Sequence, residues 1–159
     1  MKKAIYPGSF DPITFGHIDI IERAKKQFDH ITIALFKNID KEPLFSIQDR
    51  CQIIKNCFLN DPQISVAYFD GLLVEFASEH DIYTIIRGLR AVSDFEYEFQ
   101  LALTNRSLNE KIDSVFFMTD LKYAFLSSST VRQLIKFKSS ISAFVPKAVE
   151  DKVKETFYG

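Results

Sequence analysis

The sequence predicts a single α/β domain built on a five-stranded parallel sheet with helices on both faces. Strand-like runs alternate with helical patterns along the 159 residues, which is typical of a parallel sheet wound by right-handed crossovers. Several of these runs are almost continuously apolar, as expected for strands that are covered on both faces. The length corresponds to one domain, and no linker or low-complexity segment divides residues 1–159.

The predicted elements follow one another in a regular order. Five short apolar runs indicate strands, at Ala4–Tyr6, Ile31–Phe36, Ile64–Phe69, Thr84–Ile86 and Ser114–Met118. Apolar residues at helical spacing indicate helices, at about His17–Phe28, Ile47–Leu59, Leu72–His80, Asp94–Leu108, Ser129–Phe137 and Pro146–Phe157. Ligands bind open α/β sheets outside the carboxyl ends of the strands, so functional groups are expected in the loops that follow the strands.

The composition excludes several classes of partner and site. A net charge of −1 argues against a nucleic acid or a membrane surface as the main partner. No apolar leader and no run of about 18 apolar residues is present, so we expect a cytoplasmic protein. Cys51 and Cys57 are six residues apart in one predicted helix, on different faces, so no disulfide is expected between them. No Cys–His cluster has the spacing of metal ligands.

The loop after the first strand carries breaker residues and a histidine. The strand stops at Pro7-Gly8, Asp11-Pro12 follows, and Gly16-His17 opens the first helical pattern. The N-terminus of a helix presents free N–H groups and a partial positive charge, so it can bind phosphate. Such turns also join strands to helices in many α/β proteins without binding anything, and the loop alone leaves both interpretations open.

Cationic side chains follow the second and fourth strands. Lys37 and Lys41 can neutralise a phosphate, although lysines in a loop are more often simply solvated. Arg87 and Arg90 flank a glycine, and each guanidinium offers a fork for phosphate oxygens. Gly88 would let the backbone approach a ligand closely. The acidic residues at 94–98 could instead form structural ion pairs with these arginines.

Four hydroxyl residues in a row follow the fifth strand. Simple capping of the next helix needs one hydroxyl, whereas Ser127–Thr130 supplies four. The surplus favours a site for a phosphate chain. Loops after strands one, two, four and five therefore each offer groups that bind anions, and their joint occurrence indicates a phosphate-containing ligand at this edge of the sheet.

Several sequence blocks resemble one family of nucleotidyltransferases, the phosphopantetheine adenylyltransferases of coenzyme A biosynthesis. The similarity runs from Tyr6 to about Pro146 and is most specific between Arg87 and Glu98. Its strongest blocks are Tyr6–Pro12, Gly16–Asp19, Ile86–Ala91, Asp94–Glu98 and Ser127–Ser129. Ser9 stands where threonine is frequent, Phe15 where asparagine or tyrosine is commoner, and Tyr123 where tryptophan often occurs.

The resemblance implies a fold, a reaction and partners. The fold would be the Rossmann-like nucleotidyltransferase fold. The reaction would be direct in-line adenylyl transfer from ATP to 4′-phosphopantetheine, which gives dephospho-coenzyme A and pyrophosphate. Mg²⁺ would be bound mainly through substrate phosphates, without a set of protein ligands. A homohexamer is implied, and some of the 16 phenylalanines could line its subunit interfaces.

The resemblance also implies residue roles. His17 would contact the α-phosphate of ATP, and Lys41 and Arg87 would hold the acceptor phosphate as the other catalytic groups. ATP contacts are further implied for Ser9, Phe10, Gly88, Leu89, Arg90, Glu98, Tyr123, Ala124, Phe125, Leu126, Ser127, Ser128 and Ser129. The phosphopantetheine site would comprise Ser9, Lys41, Leu73 and Arg87.

Two alternatives differ from this interpretation. One is a related nucleotidyltransferase with a nicotinate-nucleotide or glycerol-phosphate acceptor, against which the block from Arg87 to Glu98 argues. The other is a non-catalytic nucleotide-binding protein on the same fold, against which the presence of His17, Lys41 and Arg87 together argues.

Overall fold

A five-stranded parallel sheet forms the centre of the molecule. The computed structural model describes residues 1–37, 39 and 42–159. The strands are β1 (Lys3–Gly8), β2 (His30–Phe36), β3 (Ile64–Phe69), β4 (Thr84–Leu89) and β5 (Asp113–Met118), in the spatial order β3-β2-β1-β4-β5. The predicted parallel α/β sheet is confirmed. The strand order reverses between β1 and β4, which is where such sheets bind ligands.

Six α-helices in the described part of the chain accompany the sheet. They are α1 (Phe15–Ala24), α2 (Ile47–Cys57), α3 (Leu73–Glu79), α4 (Val92–Leu108), α5 (Ser128–Lys136) and α6 (Lys147–Val153). A 3-10 turn at Leu121–Tyr123 precedes α5, and a π-helical turn at Lys154–Tyr158 follows α6. Within the described residues, no helix combines the length and apolar character needed to cross a bilayer.

Several element boundaries differ from the prediction, among them both ends of β1 and α6 and the start of α4, and two of the differences have a clear physical reason. Helix α1 ends at Ala24 rather than at Phe28, because the N–H groups of Lys26 and Gln27 bond three residues back instead of four. Strand β4 continues to Leu89 rather than stopping at Ile86, and pairs with β5 as far as Leu89 opposite Met118. The longer strand places Arg87 within the sheet. The Glu98 carboxylate pairs with Arg87 and offsets the cost of burying its charge.

Neighbouring residues along β1 and β4 belong to different hydrophobic clusters. Ile5 and Ile85 pack with residues of α3, whereas Tyr6 and Ile86 join the cluster formed with α1, α2, α5 and α6. Side chains alternate between the two faces of a strand, so this division shows that both faces of the sheet are covered. It explains why the strands read as almost continuous apolar runs.

Gly88 lets α1 pack directly on β4. An ideal Cβ at this position would overlap the Cδ1 atom of Ile20, which is buried on the inner face of α1. The sequence analysis assigned this glycine to close approach of a ligand. Gly88 does line the cavity described below, but the missing side chain is also required for the contact between helix and strand.

We predict that Gly88→Ala lowers the free energy of unfolding by about 1–3 kcal/mol, because it overpacks the contact with Ile20. Adding Ile20→Val removes the overlapping Cδ1 atom and should recover part of the loss. Urea unfolding of the two single variants and the double variant measures both effects. Additive losses in the double variant would contradict the proposed overlap.

Candidate active site

A cavity of about 400 Å³ opens at the carboxyl ends of β1 and β4. Its walls are the turn between β1 and α1, the end of β4, the first turns of α4 and the segment from Leu126 to Ser128. Three of these walls, those after strands one, four and five, are segments in which the sequence predicted anion-binding groups. The cavity therefore lies at the predicted edge of the sheet, at the reversal of strand order.

The turn that carries Ser9 and Phe10 is tightly constrained. Phe10 has a positive φ of 45°, which is uncommon for an aromatic residue. The residue is only 3% exposed, and its ring packs edge-on against Tyr6 and His17, with ring centroids 5.2 and 5.0 Å away. A Cβ on Gly8 would lie 2.9 Å from this ring. Because the ring is packed in the core, Phe10 can reach a ligand through its backbone.

His17 presents a neutral imidazole to the cavity. Its Nδ1 accepts a hydrogen bond from the Thr14 N–H at 3.0 Å, and the Thr14 hydroxyl lies 3.1 Å from the same nitrogen. In a neutral ring, an accepting Nδ1 leaves the proton on Nε2. Burial and the positive charges of Arg90 and Arg87 lower the pKa of His17 to about 4. The ring is therefore a neutral hydrogen-bond donor at pH 7.

Arg87 is held by a buried carboxylate. Its Nε and Nη2 each donate to an oxygen of Glu98 at 2.7 Å, and its Nη1 lies 3.4 Å from the Pro7 carbonyl. Burial alone would lower the pKa of Arg87, but the hydrogen bonds and charge of Glu98 outweigh it and raise the pKa. Both oxygens of Glu98 are engaged in this pair, so Glu98 positions Arg87 within the site.

Arg90 connects the end of β4 to the serine segment. Its Nη1 donates to the Leu126 carbonyl at 3.3 Å, and its guanidinium and backbone N–H both approach the Asp94 carboxylate. The ion pairing that the acidic residues offered as an alternative thus occurs at both arginines. Arg90 is nevertheless partly exposed to the cavity, with 42% of its side chain accessible.

The serine hydroxyls are used mainly within the protein. The Ser127 hydroxyl caps α5 by accepting from the Thr130 N–H at 3.1 Å, and the Ser128 hydroxyl donates to the Pro12 carbonyl at 2.7 Å. The backbone N–H groups of Ser128 and Ser129 have no acceptor among the described residues. The first turn of α5 therefore offers backbone donors to an anion.

A second cavity of about 190 Å³ adjoins the first. Ser9, Ser127 and Ser128 line both cavities, whereas Arg50 and Arg132 line the second. The second cavity lies between the turn after β1 and the segment that follows β2.

Comparison with known proteins identifies the family of the chain. The sequence profile of the cytidylyltransferase-like family matches residues 5–134. A relative from Caldanaerobacter subterraneus named phosphopantetheine adenylyltransferase is 50% identical over 157 residues, which cover 99% of this chain and 98% of the relative. A protein of the same name from Staphylococcus carnosus is 48% identical, covering 98% and 97% of the two chains. The chain belongs to the phosphopantetheine adenylyltransferase family.

A solved structure supports the fold assignment. It comes from Vibrio parahaemolyticus, is provisionally described as a nicotinate-nucleotide adenylyltransferase, and superposes with a TM-score of 0.66. The alignment covers 94% of this chain and 91% of that chain at 19% sequence identity. At this identity the similarity shows the shared nucleotidyltransferase fold, and the phosphopantetheine adenylyltransferase relatives define the family.

The residues that the family resemblance implied fall into four groups. Those that line the main cavity are Ser9, Phe10, His17, Arg87, Gly88, Arg90, Glu98, Leu126, Ser127 and Ser128. Ser129 lines the second cavity, whereas Leu89, Tyr123, Ala124, Phe125 and Leu73 line neither. Leu73 packs against the hydrophobic cluster below α3. Lys41 lies outside the described residues.

The departures from the family pattern are accommodated locally. The Phe15 backbone N–H donates to the Phe144 carbonyl at 2.9 Å, and the Phe15 ring lies 6.4 Å from the ring of Tyr123. The rings of Phe15 and Tyr123, which both differ from the family pattern, therefore lie next to each other beside the start of α1. The hydrogen bond to Phe144 joins the start of α1 to the segment before α6, whereas the ring contact joins it to the turn before α5.

The sequence analysis missed three residues that shape the site. Asp11 is buried and accepts from the N–H groups of Leu44 and Phe45 at 2.7 and 3.0 Å. Arg132 donates to the Asp11 carbonyl at 2.8 Å. Arg50 lies on the buried face of α2, with Ile53 and Ile54. An arginine on an otherwise apolar helix face was a readable signal for a structured polar contact.

We predict that His17 stays neutral, with the proton on Nε2, from pH 8 to about pH 5. Its pKa lies below the ordinary value of 6.5, at about 4, so the unfolded chain binds more protons between these values. Protonation of His17 in the unfolded chain should therefore lower the free energy of unfolding as the pH falls from 6.5 towards 4. Long-range ¹H–¹⁵N NMR of the imidazole, assigned with His17→Gln, reports tautomer and pKa. Titration near pH 6.5 or a protonated Nδ1 would contradict this.

Proposed function

We propose that this protein transfers the adenylyl group of ATP to 4′-phosphopantetheine, which gives dephospho-coenzyme A and pyrophosphate. The observation that carries the proposal is the neutral His17 donor beside the Glu98-held Arg87 in one cavity. Membership of the phosphopantetheine adenylyltransferase family supports this choice of acceptor.

The reaction needs positioning and charge stabilisation more than acid–base chemistry. The acceptor phosphate is already an anion at pH 7, so it can attack the α-phosphorus directly, in line with the leaving pyrophosphate, without a covalent enzyme intermediate. The Nε2–H of His17 would donate to an α-phosphate oxygen. Negative charge gathers on that oxygen during attack, so the hydrogen bond should strengthen in the transition state.

Arg87 is suited to fix the acceptor phosphate. Glu98 occupies Nε and Nη2, whereas the contact between Nη1 and the Pro7 carbonyl is long at 3.4 Å and therefore weak. We assign Nη1 to the acceptor phosphate, together with the Ser9 hydroxyl and Lys41. Leu73 is retained from the family resemblance as a contact to the pantetheine arm.

The leaving pyrophosphate would be bound by Arg90 and by the start of α5. Arg90 and the first-turn N–H groups of α5 supply cationic and backbone donors for the β- and γ-phosphates. Mg²⁺ would neutralise charge on these phosphates when bound. We propose that it would be held through the substrate phosphates and water, as Mg²⁺ usually is at phosphate sites; among the described residues, no group of three or more His, Cys, Asp or Glu side chains could hold a metal ion.

The acceptor is tested by a substrate panel. Purified protein with ATP and Mg²⁺ should release pyrophosphate with 4′-phosphopantetheine, and at least about a hundredfold more slowly with nicotinate mononucleotide or glycerol phosphate. Unphosphorylated pantetheine is the matched control, because it lacks the attacking anion. Faster release with another acceptor would contradict the proposed substrate, and no release with any acceptor would favour a non-catalytic role.

We also propose that six copies of the chain assemble and that the protein is cytoplasmic. Helix α4 supports assembly because it buries only Glu98 and Asn105. One face of the helix carries four exposed large apolar side chains at helical spacing, namely Val92, Phe95, Phe99 and Leu103. An apolar face of this kind is typical of a contact between subunits. Light scattering should give about six times the 18.4 kDa chain mass, and a monomeric mass would exclude the hexamer without affecting the chemistry.

We predict that Arg87→Ala and His17→Ala impair different steps. Loss of the acceptor-binding cation should raise the KM for phosphopantetheine while ATP affinity changes little. Loss of the His17 donor should lower kcat by roughly 10²–10³, the usual effect of removing one donor to a developing charge. Steady-state kinetics and ATP calorimetry on folded variants separate the two roles. If Arg87→Ala lost ATP affinity but kept its acceptor kinetics, the acceptor-binding role of Arg87 would be wrong. Near-normal turnover in His17→Ala would contradict the role assigned to His17.

A further inference from the structure

Arg50 is a buried cation whose partners are two backbone carbonyls. Its side chain projects from the inner face of α2, and the residue is only 4% exposed. Nη1 donates to the Ser9 carbonyl at 2.7 Å, and Nε donates to the Phe45 carbonyl at 3.2 Å. No carboxylate in the described part of the chain lies within 4.0 Å of it. Burying a guanidinium costs free energy. Here the buried cation connects the turn after β1 to the segment just before α2.

The bond to Ser9 fixes the direction of the next N–H group. In a trans peptide the C=O and the following N–H point in opposite directions, and the Ser9–Phe10 peptide is trans. Arg50 lines the second cavity, whereas Ser9 lines both cavities and Phe10 lines the main one. Because Arg50 holds the carbonyl, the Phe10 N–H points away from Arg50, and Phe10 lines the main cavity but not the second.

The Phe10 N–H is available to a ligand. It has no acceptor among the described residues, and its turn adopts the positive φ of 45° noted above. A backbone conformation of this kind persists only where surrounding contacts hold it. The Phe10 ring packed against Tyr6 and the Arg50 bond to Ser9 hold the turn from its two sides.

We infer that Arg50 is a positioning residue that aims the Phe10 N–H at the reacting phosphates of ATP. The inference rests on the proposed adenylyl transfer. A preset backbone donor adds to the Nε2–H of His17, and two preset donors form the usual arrangement for stabilising charge on a reacting oxygen. Arg50 itself remains in the second cavity and acts through the peptide.

The neighbouring arginine shows why Arg50 is distinctive. Arg132 holds the Asp11 carbonyl of the same turn at 2.8 Å. The following residue is Pro12, which has no N–H, so this bond cannot aim a donor. Arg132 therefore restrains the turn, whereas the bond from Arg50 to Ser9 also orients a hydrogen-bond donor.

The first test measures the Phe10 amide in the intact protein. The methylene analogue α,β-methylene-ATP, which cannot transfer its adenylyl group, is added with Mg²⁺ to ¹⁵N-labelled protein. The Phe10 amide proton should move downfield on binding in the wild type, and Arg50→Met should lose at least half of that shift. A wild-type Phe10 amide that does not respond to the bound analogue would overturn the inference, whether or not any variant folds.

The second test compares activity with stability. We expect Arg50→Met to lower kcat at least about tenfold, with analogue affinity changed less than about threefold. Arg50→Lys keeps the charge but cannot span both carbonyls, so its kcat should also fall. Arg23→Met is the matched control, since it removes an arginine bond to the Met118 carbonyl outside both cavities, and should leave kcat unchanged.

The outcomes separate positioning from general stabilisation. If Arg50→Met lowers the melting temperature but leaves kcat per folded protein and the Phe10 response unchanged, Arg50 is only structural and the inference fails. Full activity in Arg50→Lys would show that charge alone suffices, which also overturns it. Failure of wild-type protein to use phosphopantetheine would instead contradict the proposed function, because the amide response to the analogue does not depend on the acceptor.

Discussion

The carbonyl groups of the turn between β1 and α1 are held by side chains from other elements. Arg50 of α2 binds the Ser9 carbonyl, Arg132 of α5 binds the Asp11 carbonyl, and Ser128 of α5 binds the Pro12 carbonyl. Because these acceptors are engaged from outside, the turn can keep donors directed towards the main cavity. The placement of the turn against β4 and α5 then determines the geometry of the whole site.

Electrostatic coupling gives the site its chemical character. Arg87 and Arg90 place positive charge at the cavity, and burial together with these two charges lowers the pKa of His17 to about 4. The histidine is thereby kept neutral, and the Thr14 N–H selects the tautomer that donates through Nε2. Glu98 makes this concentration of cations possible, because its carboxylate offsets the burial of Arg87. A neutral donor in the same cavity as two arginines suits adenylyl transfer better than it suits proton transfer.

Packing and chemistry share several residues of the phosphopantetheine adenylyltransferase site. Gly88 lines the cavity and also admits Ile20 of α1 against β4. The Phe10 ring fills the core, while its backbone belongs to the cavity wall. Substitutions at such positions would change stability and catalysis together, so the two effects must be measured separately. Arg50 likewise contributes to both packing and chemistry, because its buried hydrogen bond to the Ser9 carbonyl also orients the Ser9–Phe10 peptide.

The sequence alone determined the parallel sheet, the alternation of strands and helices, and the edge where the site lies. These features follow from local apolar periodicity and from breaker residues such as Pro7-Gly8, which act over a few neighbouring positions. It also indicated the site residues His17, Arg87, Arg90 and Ser128, because their motifs stand directly after strands. The family resemblance narrowed the chemistry further, through the block from Arg87 to Glu98.

Only the tertiary structure decided what those residues contact. Three features depend on atoms that tertiary packing brings together. They are the ion pair between Arg87 and Glu98, the tautomer of His17 and the hydrogen bond from Arg50 to Ser9. The extension of β4 through Arg87 has the same origin, since a charged residue stays in the sheet when a buried carboxylate neutralises it. Local patterns specify which residue types face inward, whereas the partner of a buried polar group is set by the packing of whole elements.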